Sequence, residues 1–172
     1  INVLLKVLYQ MLQVRNIVKK YGEGENTVTA LNGVDITFRE NEFVSILGPS
    51  GCGKSTLLSL LSGMLKIETG EIIFTNKTPP KMGYMLQRDH LLNWRTIYQN
   101  TILGLEINKL LTKENLDYVN ALIKEYGLWD FKDKKPNELS GGMKQRAALI
   151  RTLSLKPEIL LLDEPFSALD FQ

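Results

Sequence analysis

The sequence predicts an α/β fold in which a mixed, largely parallel sheet carries antiparallel strands on its N-terminal side and a helical lobe is inserted into the core. Three observations predict it. A glycine-rich loop lies between an apolar run and a helical stretch at residues 43–61. Short strand-like runs recur on both sides of that loop, and a long stretch with helical periodicity separates the last two of them.

Two alternating runs precede the glycine-rich loop. Residues 12–17 and 34–39 alternate apolar and polar side chains, with a polar turn at 23–26 between them, so we expect an antiparallel sheet edge. The continuous apolar run 43–47 is typical of a buried strand. Residues 1–10 are apolar but too short to span a bilayer and have no signal-peptide pattern, so they are interpreted as an extension of unknown role.

The glycine-rich loop fits the phosphate-binding pattern G-x-x-x-x-G-K-[ST] at every fixed position. Its glycines let backbone N–H groups converge on one anion, while a lysine adds a cation and a hydroxyl can bind Mg²⁺. A chance glycine-serine turn is the alternative interpretation. The predicted phosphate-binding residues are Gly48, Ser50, Gly51, Gly53, Lys54, Ser55 and Thr56, with Ser55 also on the metal. Strand, loop and helix in this order predict the core of a P-loop NTPase.

The elements after the loop follow in order. Residues 71–74 and 82–86 are short strand candidates, and the second delivers Gln87 at its end. Residues 96–126 are helical, with Thr112 as N-cap and Gly127 just past the C-terminus. A helix at 143–153 precedes the apolar run 159–162, which is typical of a parallel strand covered on both faces. We therefore place the helical lobe at about residues 88–155.

Two carboxylates follow the last apolar run, at the edge where ligands bind in open α/β sheets. Asp163 is the candidate Mg²⁺ ligand, and Glu164 is the candidate general base for an attacking water. The alternative is an acidic first turn that favours the dipole of a following helix.

The run Leu139–Arg146 resembles the signature sequence of ATP-binding cassette (ABC) ATPases. Physically, a hydroxyl and two glycine amides at a helix N-terminus form a second anion site, although a serine-capped helix with a flexible glycine pair is the plainer interpretation. The resemblance implies that Ser140, Gly141, Gly142 and Gln145 contact the γ-phosphate of ATP held by a second subunit. ATP and Mg²⁺ are the implied cofactors, and a dimer of this chain is the implied assembly.

Other residues take roles from the same resemblance, which covers residues 11–172 as one cassette domain. Gln87 matches the glutamine that senses Mg²⁺ and the catalytic water and couples to the membrane partner. Tyr21 matches the aromatic residue that stacks on adenine, although a tyrosine at the end of a strand is often plain packing. Asp170, in the loop 167–170, matches the loop at the dimer seam.

The segment 91–106 narrows the resemblance further. Residues 91–96, Asn100 and 104–106 are similar to importers of nitrate, sulfonates and taurine, although Asn93 stands where that group usually has proline. The resemblance implies an ATPase subunit on the cytoplasmic face of the membrane that drives solute import through a separate permease, with an external solute-binding protein acting indirectly. Plain packing of the lobe is the alternative for Trp94 and its neighbours.

Composition and chain length bear on the remaining alternatives. The chain has 21 basic and 19 acidic residues and a formal charge of +2, which gives no case for a nucleic-acid partner. His90 is the only histidine, so the family's histidine on a later strand has no match, and the resemblance implies a C-terminally truncated cassette. A nucleotide-binding remnant without hydrolysis is therefore the alternative function. A third possibility is a cassette protein that acts on ribosomes. Such a protein would carry two cassettes in one chain, and this sequence shows one.

Overall fold

The computed structural model describes residues 10–75 and 79–165. The chain divides into two compact units, residues 1–80 and residues 81–172. The first unit holds the glycine-rich loop, and the second holds the helices of the predicted lobe together with two strands. An α/β fold with both antiparallel and parallel strands is confirmed, with the strands distributed over two sheets rather than one.

The first unit is built on a three-stranded antiparallel sheet in the order β2-β1-β3. Strand β1 spans Gln10–Tyr21, β2 spans Val28–Arg39 and β3 spans Thr69–Phe74. A short 3-10 helix at Gly24–Asn26 joins β1 to β2, and helix α1 spans Lys54–Leu61. The two alternating runs lie inside β1 and β2, so the predicted antiparallel edge is confirmed.

A bulge in β1 decides which side chains of this strand are buried. Asn16 has φ 46°, its backbone N–H donates to Asp35 Oδ1 at 3.0 Å, and the pairing with β2 shifts register between Val14 and Ile17. The bulge resets the two-residue alternation, so that Val14 and Ile17 are both buried. Gly70 of β3 passes so close that a Cβ there would lie 2.4 Å from the Asn16 carbonyl oxygen.

The prediction of a buried strand at residues 43–47 is wrong for this structure. The segment belongs to neither sheet, and Phe43 and Leu47 are 91% and 88% exposed. A parallel strand is stable only when neighbours bond to its edges, and none of β1, β2 and β3 pairs with this segment. The apolar run therefore reaches the phosphate loop as an unpaired, largely exposed segment.

In residues 81–165 the second unit has a parallel pair of strands and four α-helices. Strands β4 (Met82–Met85) and β5 (Ile159–Leu162) pair in parallel, from Met82 opposite Ile159 to Met85 opposite Leu162. The helices are α2 (Ile97–Thr101), α3 (Leu103–Ile107), α4 (Lys113–Glu125) and α5 (Gly141–Leu153), with 3-10 turns at Trp129–Phe131 and Pro136–Glu138. Their shared core includes Ile97, Leu105, Val119, Ile123, Leu128, Ala147 and Ile150.

The predicted boundaries of α4 are confirmed. Thr112 caps its N-terminus by accepting from the Asn115 N–H at 3.3 Å, and Gly127 follows its end at φ +67°. The expected two-sided cover of β5 is not found, because Leu161 is buried while Leu160 is 38% exposed. Within the described residues β5 has β4 as its paired neighbour, which leaves one side of it open. Across residues 10–75 and 79–165, no helix combines the length and the apolar character needed to cross a membrane.

Candidate functional site

The glycine-rich loop adopts a conformation that its glycines alone make accessible. Gly51 has φ +79°, and Gly53, the N-cap of α1, has φ +96°. Gly53 also lies against β2, since a Cβ there would stand 2.3 Å from the Ala30 carbonyl oxygen. At Gly48 the constraint is a side chain, because a Cβ would stand 2.6 Å from Cys52 Sγ. The predicted phosphate-binding glycines are therefore required by backbone conformation or by close approach.

The cation of this loop folds back over the loop's own carbonyl groups. Lys54 Nζ donates to the Gly48 oxygen at 2.8 Å and to the Pro49 oxygen at 2.9 Å, and the Cys52 N–H donates to the Pro49 oxygen at 3.3 Å. An anionic phosphate oxygen is a stronger acceptor than these neutral carbonyls. The ammonium is thus held at the loop and can be drawn away by an anion. Of the predicted hydroxyl residues, Ser50 and Ser55 are exposed and Thr56 is half-buried.

Tyr21 lies at the same end of the first unit's sheet as the phosphate loop. It ends β1 opposite Val28, two residues before Ala30, whose carbonyl group approaches Gly53. The tyrosine side chain is 43% exposed, and Lys19 Nζ lies 5.4 Å from the centroid of its ring. The ring is therefore accessible at this end of the sheet, while its role in stacking on a base remains a prediction.

The carboxyl edge of β4 and β5 brings two predicted residues into direct contact. Gln87 Nε2 donates to Glu164 Oε2 at 2.7 Å. The Asp163 N–H donates to the Met85 oxygen at 3.0 Å and extends the parallel ladder by one step. Asp163 is buried, with 6% of its surface exposed, and Glu164 turns away at φ 49°. Because parallel strands end at the same edge, residues 77 positions apart in sequence meet there.

Each unit carries a predicted ligand whose chemistry suits Mg²⁺. Asp163 offers a buried carboxylate and Ser55 an exposed hydroxyl, each in its own unit, and both are the hard oxygen ligands that this cation prefers. Among the described residues there is no group of three or more histidine, cysteine, aspartate or glutamate side chains able to hold a metal. Mg²⁺ is commonly bound by one or two protein side chains together with water and substrate phosphates.

The predicted signature residues lie at the N-terminus of α5. Ser140 is the N-cap, and its hydroxyl accepts from the Met143 N–H at 3.4 Å. Gly141 and Gly142 are the first two helical residues, so their N–H groups have no acceptor within the helix. Ser140 and Gly141 are exposed and Gly142 is half-buried, whereas Gln145 is 7% exposed. The geometry thus groups three of the four residues at one accessible helix end and places Gln145 in the interior.

Asp170 and its loop, which were predicted to belong to the site, lie outside the described residues.

A contact of Arg151 was not predicted from the sequence. Arg151 in α5 donates to the carbonyl oxygens of Asp89 and His90, just after Gln87. Burial lowers the pKa of Arg151, against the opposing charge of Asp89. The acceptors of this arginine are backbone groups, which leave no mark in the sequence.

The segment that resembles solute importers is held rigid from inside. Asn100 is fully buried; its Oδ1 accepts from the Leu92 N–H at 2.7 Å, and its Nδ2 donates to the carbonyl oxygens of Leu92, Arg95 and Thr96. Arg95 forms an ion pair with Glu106. Trp94 remains 72% exposed on this fixed loop. The arrangement presents a large aromatic side chain to solvent from a loop that Asn100 holds by hydrogen bonds.

Comparisons with known proteins agree on one family. The family model described as ABC transporter matches residues 31–167. The chain is 45% identical over 165 residues to an uncharacterized ABC transporter ATP-binding protein, YtlC of Bacillus subtilis, covering 94% of this chain and 64% of that protein. It is 39% identical to the bicarbonate transport ATP-binding protein CmpD of Synechococcus elongatus, covering 92% of this chain and 59% of that protein.

A solved structure supports the same assignment. The chain superposes with a TM-score of 0.81 and 34% identity on the ATP-binding cassette MJ0796, solved as a dimer in a post-hydrolysis state bound to ADP and Pi. The match covers 94% of this chain and 77% of that one. The chain spans less than two thirds of the length of YtlC and of CmpD.

Proposed function

The chain belongs to the ABC transporter family, and from this premise we propose that it is the ATP-binding subunit of a transporter, coupling ATP binding and hydrolysis to solute import through a separate permease. The observation that carries the proposal is the phosphate loop, where Gly51 and Gly53 take left-handed conformations and Lys54 lies across the loop. Such a loop has one evident use, which is to surround an anion with N–H groups and a cation.

The residues around the nucleotide have separate tasks. The loop 48–56 binds the β- and γ-phosphates, and Tyr21 stacks on the adenine ring. Ser55, Asp163 and Gln87 provide oxygen ligands for Mg²⁺, which when bound neutralises charge on the transferring phosphoryl group. Glu164 accepts a proton from the attacking water as general base. The Gln87 amide, 2.7 Å from Glu164, orients that carboxylate.

A second copy of the chain completes the site in this proposal. The exposed N-terminus of α5, with Ser140, Gly141 and Gly142, faces the γ-phosphate held by the partner, because orphan helix N–H groups and the helix dipole favour an anion. Asp170 contributes at the same seam, whereas the buried Gln145 is left out of it. Support comes from the MJ0796 cassette, which was solved as a dimer.

The proposals for the membrane partner and for the solute depend on the segment 91–106. Its rigid loop and exposed Trp94 provide a docking surface for a permease at the cytoplasmic face of the membrane. The resemblance to nitrate, sulfonate and taurine importers, together with CmpD, a bicarbonate transport protein by name, favours a small anion as solute. An external binding protein would deliver that anion to the permease.

Nucleotide binding by this chain is the first experiment. Lys54→Ala is expected to abolish ATP binding measured by titration calorimetry, whereas Lys66→Ala, an exposed lysine of the same unit, is expected to leave it unchanged. Unaltered affinity in Lys54→Ala contradicts the proposal. Hydrolysis is measured separately, and Glu164→Gln is expected to lower kcat by a factor of at least about 100 while retaining ATP binding.

A nucleotide-binding chain without hydrolysis is the second candidate. The exposed run 43–47, which enters the phosphate loop without a strand partner, favours it. An unpaired approach to the loop would hold the phosphates less firmly than a strand in a sheet. Steady-state turnover that is lost in Glu164→Gln excludes this candidate. The candidate is supported if the parent chain binds ATP but releases phosphate only at the background level, as Glu164→Gln does.

A further inference from the structure

Arg151 lies in the C-terminal half of α5, with its guanidinium directed at the loop that follows Gln87. Nη2 donates to the Asp89 carbonyl oxygen at 2.6 Å, and Nη1 donates to the His90 carbonyl oxygen at 2.8 Å. A guanidinium presents its N–H groups in a fixed planar fork, which suits two acceptors on consecutive residues. One side chain therefore ties the helix to the backbone two and three residues beyond Gln87.

The loop needs such a tie because its backbone is in a disfavoured conformation. His90 has φ 45°, in the left-handed region that residues other than glycine rarely adopt. The Leu91 N–H donates to Asp89 Oδ1 at 2.9 Å, and the Leu91 side chain is buried. Burial lowers the pKa of Arg151, yet arginine stays protonated in proteins, so its hydrogen bonds are charge-assisted and strong.

Gln87 is thus anchored on both sides. Before it, β4 ends at Met85, whose carbonyl group accepts from the Asp163 N–H. After it, Arg151 holds the carbonyl groups of Asp89 and His90. We propose that Arg151 is a positioning residue: by fixing the loop after Gln87, it holds the Gln87 amide where it donates to Glu164.

The placement of Arg151 gives this contact a wider meaning, which rests on the proposed function. Helix α5 begins at Ser140, where the partner's γ-phosphate would bind, and carries Arg151 near its other end. A rigid 13-residue helix thereby joins the trans phosphate contact to the residue that orients the general base.

The position of the Gln87 amide can be measured in the nucleotide-free chain by its side-chain ¹⁵N–¹H NMR signals, assigned by their loss in Gln87→Ala. A hydrogen bond to a carboxylate displaces such a signal, so Glu164→Ala, which removes the acceptor, defines the released position. Arg151→Lys keeps the charge but lacks the planar fork of the guanidinium, and it is expected to move the Gln87 signal most of the way to that position. Arg151→Gln is expected to move it in the same direction.

Arg146→Lys is the matched control, since this arginine of the same helix donates to the Tyr126 carbonyl oxygen, away from Gln87. It should leave the Gln87 signal in place. An unmoved signal in Arg151→Lys, or an equal displacement in Arg146→Lys, overturns the proposal. So does global unfolding of Arg151→Lys, which would show that the arginine maintains the fold rather than the loop. Because the measurement uses no ATP, a chain that fails to bind ATP refutes the proposed function and leaves this result readable.

Discussion

Replacing Gly53 by alanine separates the two constraints that act on the phosphate loop. Gly53 has φ +96°, where a Cβ costs about 1–2 kcal/mol. The same Cβ would stand 2.3 Å from the Ala30 carbonyl oxygen and 2.9 Å from Leu31 Cδ2, an overlap with backbone that costs about 1–3 kcal/mol more. Gly53→Ala is therefore expected to lower the free energy of unfolding by about 2–5 kcal/mol.

Two other glycines supply controls that carry the backbone constraint alone. Gly51 and Gly63 have φ +79° and +76°, and a Cβ at either would meet nothing within 4 Å. Gly51→Ala and Gly63→Ala are expected to cost about 1–2 kcal/mol each. Gly63 lies beyond α1 and outside the loop, so its substitution also reports any cost that is unrelated to the nucleotide site.

The assay is urea unfolding of the four chains, followed by circular dichroism under the same conditions. The cost of the contact with Ala30 is the difference between Gly53→Ala and the mean of the two controls, expected at about 1–3 kcal/mol. A difference below about 0.5 kcal/mol, which is the usual limit of additivity, refutes the close approach of Gly53 to β2. ATP affinity is expected to fall in Gly53→Ala and Gly51→Ala and to stay unchanged in Gly63→Ala.

Three further predictions concern the second unit. Asn100→Ala removes a fully buried amide that accepts from the Leu92 N–H, and it is expected to lower the free energy of unfolding in urea by about 3 kcal/mol. Asn108→Ala loses one exposed hydrogen bond and is expected to cost less than about 1 kcal/mol, so equal losses would refute the role given to Asn100. Ser140→Ala and Thr112→Ala each remove an N-cap and are expected to cost about 1 kcal/mol in thermal unfolding, but Ser140→Ala alone should weaken ATP-dependent dimerisation in sedimentation. The pKa of Glu138 lies below its usual 4.5 because its carboxylate accepts from the Lys135 N–H and contacts Lys134. Its stabilisation is therefore present above that pH and lost as the pH falls through the folded pKa, so Tm should decline less with acid in Glu138→Gln than in the parent chain, and parallel curves would contradict this.

The antiparallel edge and the helix boundaries were predictable because they depend on neighbours in sequence. Alternation in residues 12–17 and 34–39 reflects one solvent-facing and one buried face of each strand. Thr112 and Gly127 delimit the helix that lies between them in sequence. The bulge at Asn16 was not predictable, because it depends on the approach of Gly70 from β3. The unpaired state of 43–47 escaped prediction for a related reason, since an apolar run favours a strand but cannot supply the neighbour that a strand requires.

The sequence by itself determined the chemistry of the candidate site: the phosphate loop from Gly48 to Thr56, the carboxylates Asp163 and Glu164, and the serine-glycine start of α5. These depend on residue type and local spacing, which a chain carries with it. The tertiary structure alone decided that Gln87 donates to Glu164 and that Arg151 holds the loop that follows Gln87. Parallel pairing of β4 with β5 brings together residues that are far apart in sequence, and the acceptors of Arg151 are backbone carbonyl groups that every residue has.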